Sequence, residues 1–241
     1  MPNGANKSPL KWTPLCFPFK CALSSTHGGA MAITIQDYRL PHDTHNLYDV
    51  NFFGDNIETL VTHDPTMVSQ WLSDIESLNN QSQHRLIIGL DVEWRPNNRR
   101  YQNPVATLQL CVGCRCLIYQ LIHSPHVPSL LVDFLSNQNH TFVGIGIESD
   151  LKKLVEDYGF GYNANAVDLR KLAADKYEMK QLKNAGLKKL AKFVLEKEVE
   201  KPKRVTLSRW DYMWLKPVQV QYACVDAFVS YEIGRVLNAA E

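Results

Sequence analysis

Asp91-Val92-Glu93 closes a dense apolar run that begins at Leu86. In a strand, side chains at i and i+2 point to the same face, so the two carboxylates project side by side. A near-continuous apolar run reads as a central, buried strand, where two unpaired anions are costly. A bound divalent cation relieves both charges, and hard oxygen ligands select Mg²⁺ or Mn²⁺. A bare Asp-x-Glu arises by chance in many proteins, so the pair carries weight only in company. Tyr222-Ala-Cys-Val-Asp226 supplies some, because Tyr222, Asp226, Val229 and Ile233 share one helical face. An aspartate inside an apolar stripe needs a partner: a structural hydrogen bond, or a reacting centre that the phenol one turn away also reaches. A third acid, Asp150 in Gly144-Ile-Gly-Ile-Glu-Ser-Asp-Leu, sits where a short strand enters a helix. Carboxylates at such places often serve only as caps.

Apolar periodicity supplies the elements that must hold these acids. Strands are predicted over Tyr48–Phe53 and Thr59–Thr62, and a helix over Met67–Leu78 that opens at Asp64-Pro65. Leu86–Glu93 is the central strand; Pro104–Val112 alternates, and Arg115–Leu121 pairs back on it through a turn at Gly113. A helix over Pro128–Leu135, a strand over Thr141–Gly146, a helix over Ser149–Tyr158 and a strand over Ala166–Leu169 follow, then helices near 170–177, 186–197 and 217–238. Counted from Leu86, this is an α/β fold on a mixed sheet whose first three strands form an antiparallel meander.

The acid pair, the acid at a strand-to-helix switch and Tyr-x-x-x-Asp on the last helix occur in one order within one domain. In that set the chain resembles the DEDD exonucleases of the RNase H-like superfamily, in the tyrosine-bearing subclass that includes RNase D. It is most similar to the small plant Werner-like exonucleases, among them the RISC-interacting clearing 3′-5′ exoribonucleases. The likeness runs from about Thr62 to Leu237 and includes Pro104-Val-Ala-Thr-Leu-Gln-Leu-Cys, Gly186-Leu-Lys-Lys-Leu-Ala and Leu207-Ser-Arg-Trp. It implies an RNase H-like single domain, three antiparallel strands then parallel ones, flanked by helices. It also implies that Asp91, Glu93, Asp150 and Asp226 ligate two Mg²⁺ or Mn²⁺ ions, and that Tyr222 orients the attacking water. The implied activity is 3′-5′ exonucleolytic hydrolysis of single-stranded nucleic acid, RNA before DNA, to nucleoside 5′-monophosphates. Single-stranded RNA or DNA, a homo-oligomeric ring and a targeting protein such as an RNA-silencing complex are the implied partners. Nothing in the sequence clearly addresses the chain to an organelle, so cytoplasm, with entry to the nucleus, is the expected location. A non-catalytic binding module and a DNA repair or proofreading nuclease are the competing functions. One departure is Glu148-Ser149 before the third acid, where some relatives carry Asn or aromatic groups.

The 241 residues carry 26 Lys+Arg and 25 Asp+Glu, a net charge of +1. Residues 170–209 hold 13 basic and 5 acidic side chains, and residues 31–95 hold 3 and 10. Such segregation is either a solvated helical face or the footprint of a polyanion binder. On the second reading Lys189, Lys203, Arg204 and Arg209, with Lys188, Lys192, Lys197 and Lys201 nearby, track a strand's backbone, and Arg99, Arg100 and Tyr101 hold the terminal nucleotide. Trp210, Tyr212 and Trp214 either stack bases or fill core. Cys111, Cys114 and Cys116 have a partial zinc spacing, but a hairpin accounts for them more simply. No apolar run approaches the ~20 residues that span a bilayer. Residues 1–30, with three Lys, no acid and four Pro, read as a disordered extension before an exonuclease domain over residues 31–241.

Overall fold

Strands β1 (Thr34–Asp37), β2 (His45–Phe52) and β3 (Asp55–Thr62) form an antiparallel edge in the computed structural model, which describes residues 33–79, 85–97 and 101–241. The meander follows as β4 (Leu86–Glu93), β5 (Thr107–Val112) and β6 (Arg115–Tyr119). β6 runs parallel to β3, while β4 carries β7 (His140–Gly144) and then β8 (Ala166–Asp168) in parallel on its other side. The eight strands lie in the order β1-β2-β3-β6-β5-β4-β7-β8, so the sheet is mixed as expected.

Both faces of the sheet are covered. One packs against α1 (Pro65–Asn79), α2 (Ser129–Ser136) and α3 (Ile147–Tyr158), through Trp71, Leu72, Phe134 and Leu154. The other packs against α4 (Leu169–Lys176), α5 (Leu187–Leu190), α6 (Lys203–Thr206) and the 20-residue α7 (Pro217–Val236). All six residues of β5 are therefore buried, and its alternation separates two cores rather than core from solvent. Helix α7 lies directly on β4: a Cβ added at Gly89 would sit 2.0 Å from the Ala227 carbonyl oxygen. Only a glycine permits that approach. No helix among the described residues is long and apolar enough to cross a membrane.

Two expectations need correction. Helix α3 starts at Ile147 rather than Ser149, because Gly146 takes the left-handed conformation (φ 75°) and turns the chain two residues earlier. The single helix expected over 186–197 is broken. After α5 a wider turn over Ala191–Leu195 brings Val194 and Leu195 against the α7 core, and Glu196 ends it at φ 56°. Neither β1 nor the short α6 is evident from periodicity, being only four residues each. The expectations for residues 1–30, Arg99 and Arg100 lie outside the described residues.

Candidate active site

Gly89, Asp91 and Glu93 share one face of β4, and the close approach at Gly89 sets α7 over that face. Asp226 precedes Ala227, the point of closest approach, and so lies over the carboxylates of the strand. Carboxylate oxygens of Asp91, Glu93 and Asp226 fall within 4.8 Å of one another. Asp226 is buried at 2% exposure, and Asp91 and Glu93 are half-buried. Tyr222, one turn earlier on α7, is buried with its ring centroid 6.0 Å from that of Trp210. Trp210 is thereby a core residue, whereas Tyr212 and Trp214 are exposed.

Three carboxylates this close cannot all ionise without compensation. Burial first, then Asp226 and Asp150, push Asp91 well above the usual carboxylate range. Burial, then Asp91 and Asp226, push Glu93 up to about 10. Burial raises Asp226 as well, against the opposing pull of Lys201. Burial, with Asp226 and Glu93 beside it, holds the Tyr222 phenol far above its ordinary value. Lys201 Nζ lies 2.5 Å from Asp226 Oδ2 and 5.4 Å from the Tyr222 ring centroid. The ammonium is the close charged partner of this buried carboxylate. Three converging hard oxygens with one ammonium among them fit a divalent cation.

Asp150 lies beside this trio rather than within it, in the first turn of α3. Burial first, then Asp168, raise it to about 7 against Lys201 and Arg170. Its place depends on the left-handed turn at Gly146, whose N–H donates to Asp168 Oδ2 at 3.1 Å. The same Asp168 accepts from the Arg170 backbone N–H at 2.9 Å and from Arg170 Nη2 at 2.6 Å. Burial would raise Asp168, but the Arg170 hydrogen bonds outweigh it and hold the carboxyl below its ordinary value. Glu148, where the motif departs from some relatives, is tied to Lys171 at 2.7 Å on the surface.

The basic residues are not drawn to the acids, with one exception. Lys189, Lys203 and Arg204 are exposed and make no ion pair with any described residue. Arg209 pairs with Asp211 at 2.7 Å and lies over the Tyr212 ring at 4.6 Å. The exception is Lys201, which the sequence placed with the backbone-tracking lysines. No period in the lysine run sets it apart, although the buried Val199 two residues earlier anchors its segment.

A family profile described as 3′-5′ exonuclease matches residues 61–239, which takes in all five residues of the acid-and-tyrosine set. The chain belongs to the 3′-5′ exonuclease family. A 3′-5′ exonuclease of Arabidopsis thaliana is 37% identical over 154 residues, 63% of this chain and 52% of the relative. Exonuclease 3′-5′ domain-containing protein 2 of Drosophila melanogaster is 35% identical over 177 residues, 72% of this chain and 28% of the relative. The chain thus spans about half or less of the length of these exonucleases. Among solved structures, Escherichia coli RNase D superposes with a TM-score of 0.61 at 18% identity, over 75% of this chain and 44% of that one. The Aedes aegypti Nibbler EXO domain does so with a TM-score of 0.61 at 17% identity, over 75% of this chain and 87% of that one. These two share the fold of this chain.

Proposed function

We propose that this 3′-5′ exonuclease hydrolyses single-stranded nucleic acid, RNA in preference to DNA, and releases nucleoside 5′-monophosphates. The observation that carries the proposal is the buried convergence of Asp91, Glu93 and Asp226 beside Tyr222. Asp91, Glu93 and Asp226 hold one divalent cation, Mg²⁺ or Mn²⁺, and Asp91 with Asp150 holds a second. When bound, such a pair of ions activates water and stabilises the leaving oxygen of an in-line displacement. The Tyr222 hydroxyl orients the water and keeps its proton, since burial and the neighbouring carboxylates hold the phenol neutral. RNA is favoured because the plant exonucleases that the motifs resemble act on RNA.

The test uses 5′-labelled single-stranded RNA and DNA of one sequence, incubated with Mg²⁺, Mn²⁺ or EDTA. A metal-dependent ladder that shortens from the 3′ end, and vanishes in an Asp91→Ala, Asp226→Ala double variant, is the expected result. The faster substrate reports the sugar preference. Retained binding without cleavage of either strand overturns the proposal in favour of a binding module.

A further inference from the structure

Lys201 stands in an unusual relation to the acid site. Its ammonium touches Asp226 Oδ2 at 2.5 Å and lies within electrostatic reach of Asp91, Glu93 and Asp150. The two sides of this ion pair differ in freedom. Asp226 is fixed on the buried α7, with 3% of its side chain exposed, whereas Lys201 has 35% exposed. Lys201 lies in a stretch without regular structure between Glu196 and Pro202, anchored by the buried Val199. The ammonium can therefore withdraw into solvent by side-chain rotation, without opening the core. Asp226 has no such latitude.

The contact is also the wrong one to coexist with a metal. A Mg²⁺ ion binds carboxylate oxygens at about 2.0–2.1 Å, so an ion on Oδ2 and an ammonium 2.5 Å from the same atom would stand no more than about 4.6 Å apart. Two cations at that separation repel strongly in a partly buried site. We propose that Lys201 is a built-in counter-cation. It neutralises the acid cluster in the metal-free enzyme and must leave Asp226 for a divalent cation to bind, so it sets the enzyme's metal affinity. This inference rests on the metal-site reading above.

Calorimetric titration of the full chain with Mn²⁺ tests it, comparing wild type with Lys201→Met, which keeps the apolar stem, and Lys201→Arg, which keeps the charge. The expected result is binding about tenfold tighter in Lys201→Met, or ~1.4 kcal/mol, with Lys201→Arg close to wild type. Unchanged or weaker Mn²⁺ binding in a folded Lys201→Met overturns the inference and assigns the residue to another partner, such as a substrate phosphate. A second measurement needs no variant. Reductive methylation of Lys201 in wild type, followed by peptide mass spectrometry, should accelerate several-fold on adding Mg²⁺ without nucleic acid. An unchanged labelling rate overturns the inference. If wild type binds no Mn²⁺ at all, the metal-site reading falls and takes this inference with it. Binding by wild type with no change in Lys201→Met sinks the inference alone.

Discussion

The acid site and the basic segment 170–209 carry opposite charge and are built in opposite ways. Asp91, Glu93 and Asp226 project from a central strand and from the most buried helix, elements fixed by a backbone contact too close for any side chain but hydrogen. The basic segment instead rests largely on short pieces: α5 and α6 of four residues each, a wide turn, and irregular chain from Glu196 to Pro202. Its charges point outward and several meet local acids, as in Lys183 with Asp175 at 3.6 Å and Arg209 with Asp211 at 2.7 Å. The difference follows from the work each charge can do. Geometry-critical groups need rigid elements, while charges that track a flexible polyanion gain from adaptable side chains. Lys201 belongs to the second region by sequence and to the first by contact, which makes it the link between them.

The comparison predicts its largest asymmetry in activity. Asp91→Asn or Asp226→Asn should lower kcat/KM by about 10³-fold or more, because each removes a group on which the whole site depends. Lys189→Ala should cost less than about tenfold, as one phosphate contact among several. Without metal, the same Asp91→Asn should raise Tm, since it removes one of three mutually repelling carboxylates. An Asp91→Asn that is both inactive and less stable would mean that the cluster is held by hydrogen bonds rather than strained by charge. The glycines offer the next largest contrast. Gly89→Ala places its Cβ 2.0 Å from the Ala227 carbonyl oxygen and should cost about 1–3 kcal/mol, moving Asp226 and lowering activity with it. At Gly186, the N-cap of α5, nothing lies within 4 Å, and Gly186→Ala should cost only about 0.5–1 kcal/mol, the loss of a favourable cap residue. Urea unfolding of both variants reads the difference, and equal losses would contradict the rigid-versus-adaptable contrast.

The pH dependence sharpens the same contrast. Glu93, with a folded value of about 10 against an ordinary 4.5, binds its proton more tightly folded than unfolded. Its contribution to stability is complete below about pH 4.5 and is lost as pH rises toward 10. Asp150 loses its share between 3.8 and about 7. In EDTA, Tm should therefore fall steadily from pH 5 to pH 9, and saturating Mg²⁺ should flatten the slope by replacing the protons. A metal-free Tm that is level or rising over that range would remove the strained-cluster account.

The two regions also differed in how far the sequence disclosed them. Asp91 and Glu93 were legible because strand periodicity alone puts them on one face, and Tyr222 and Asp226 because helical periodicity does the same. Asp150 was legible as an acid at a strand-to-helix junction. The exact turn was not, because it depends on the left-handed Gly146 and on Asp168, 22 residues away, accepting its N–H. In the basic segment the rule fails. A run of lysines has no period that separates the one touching Asp226 from the rest, and the break after α5 follows from packing on α7, which local preference does not encode. Gly89 reads as an unremarkable small residue until the helix above it is in view.

The smallest expected effect lies within the basic segment. Lys203 and Arg204 open α6 with exposed side chains and no ion-pair partner among the described residues, so each is free to release a counterion when a phosphate binds. Lys203→Ala or Arg204→Ala should weaken single-strand binding alike for all sequences and reduce the slope of log K against log salt by about 0.7 each. Arg209 is already neutralised by Asp211 and stacked on Tyr212, so binding a phosphate there means breaking an existing ion pair. Its substitution should change the slope by less than either neighbour. Fluorescence anisotropy across a salt series, on the inactive Asp91→Asn background, separates the three. If Arg209→Ala gave the steepest loss, the exposed Arg209–Tyr212 pair would be the nucleotide platform. The adaptable region would then contain a rigid contact of its own, and the contrast with the acid site would narrow to a difference of degree.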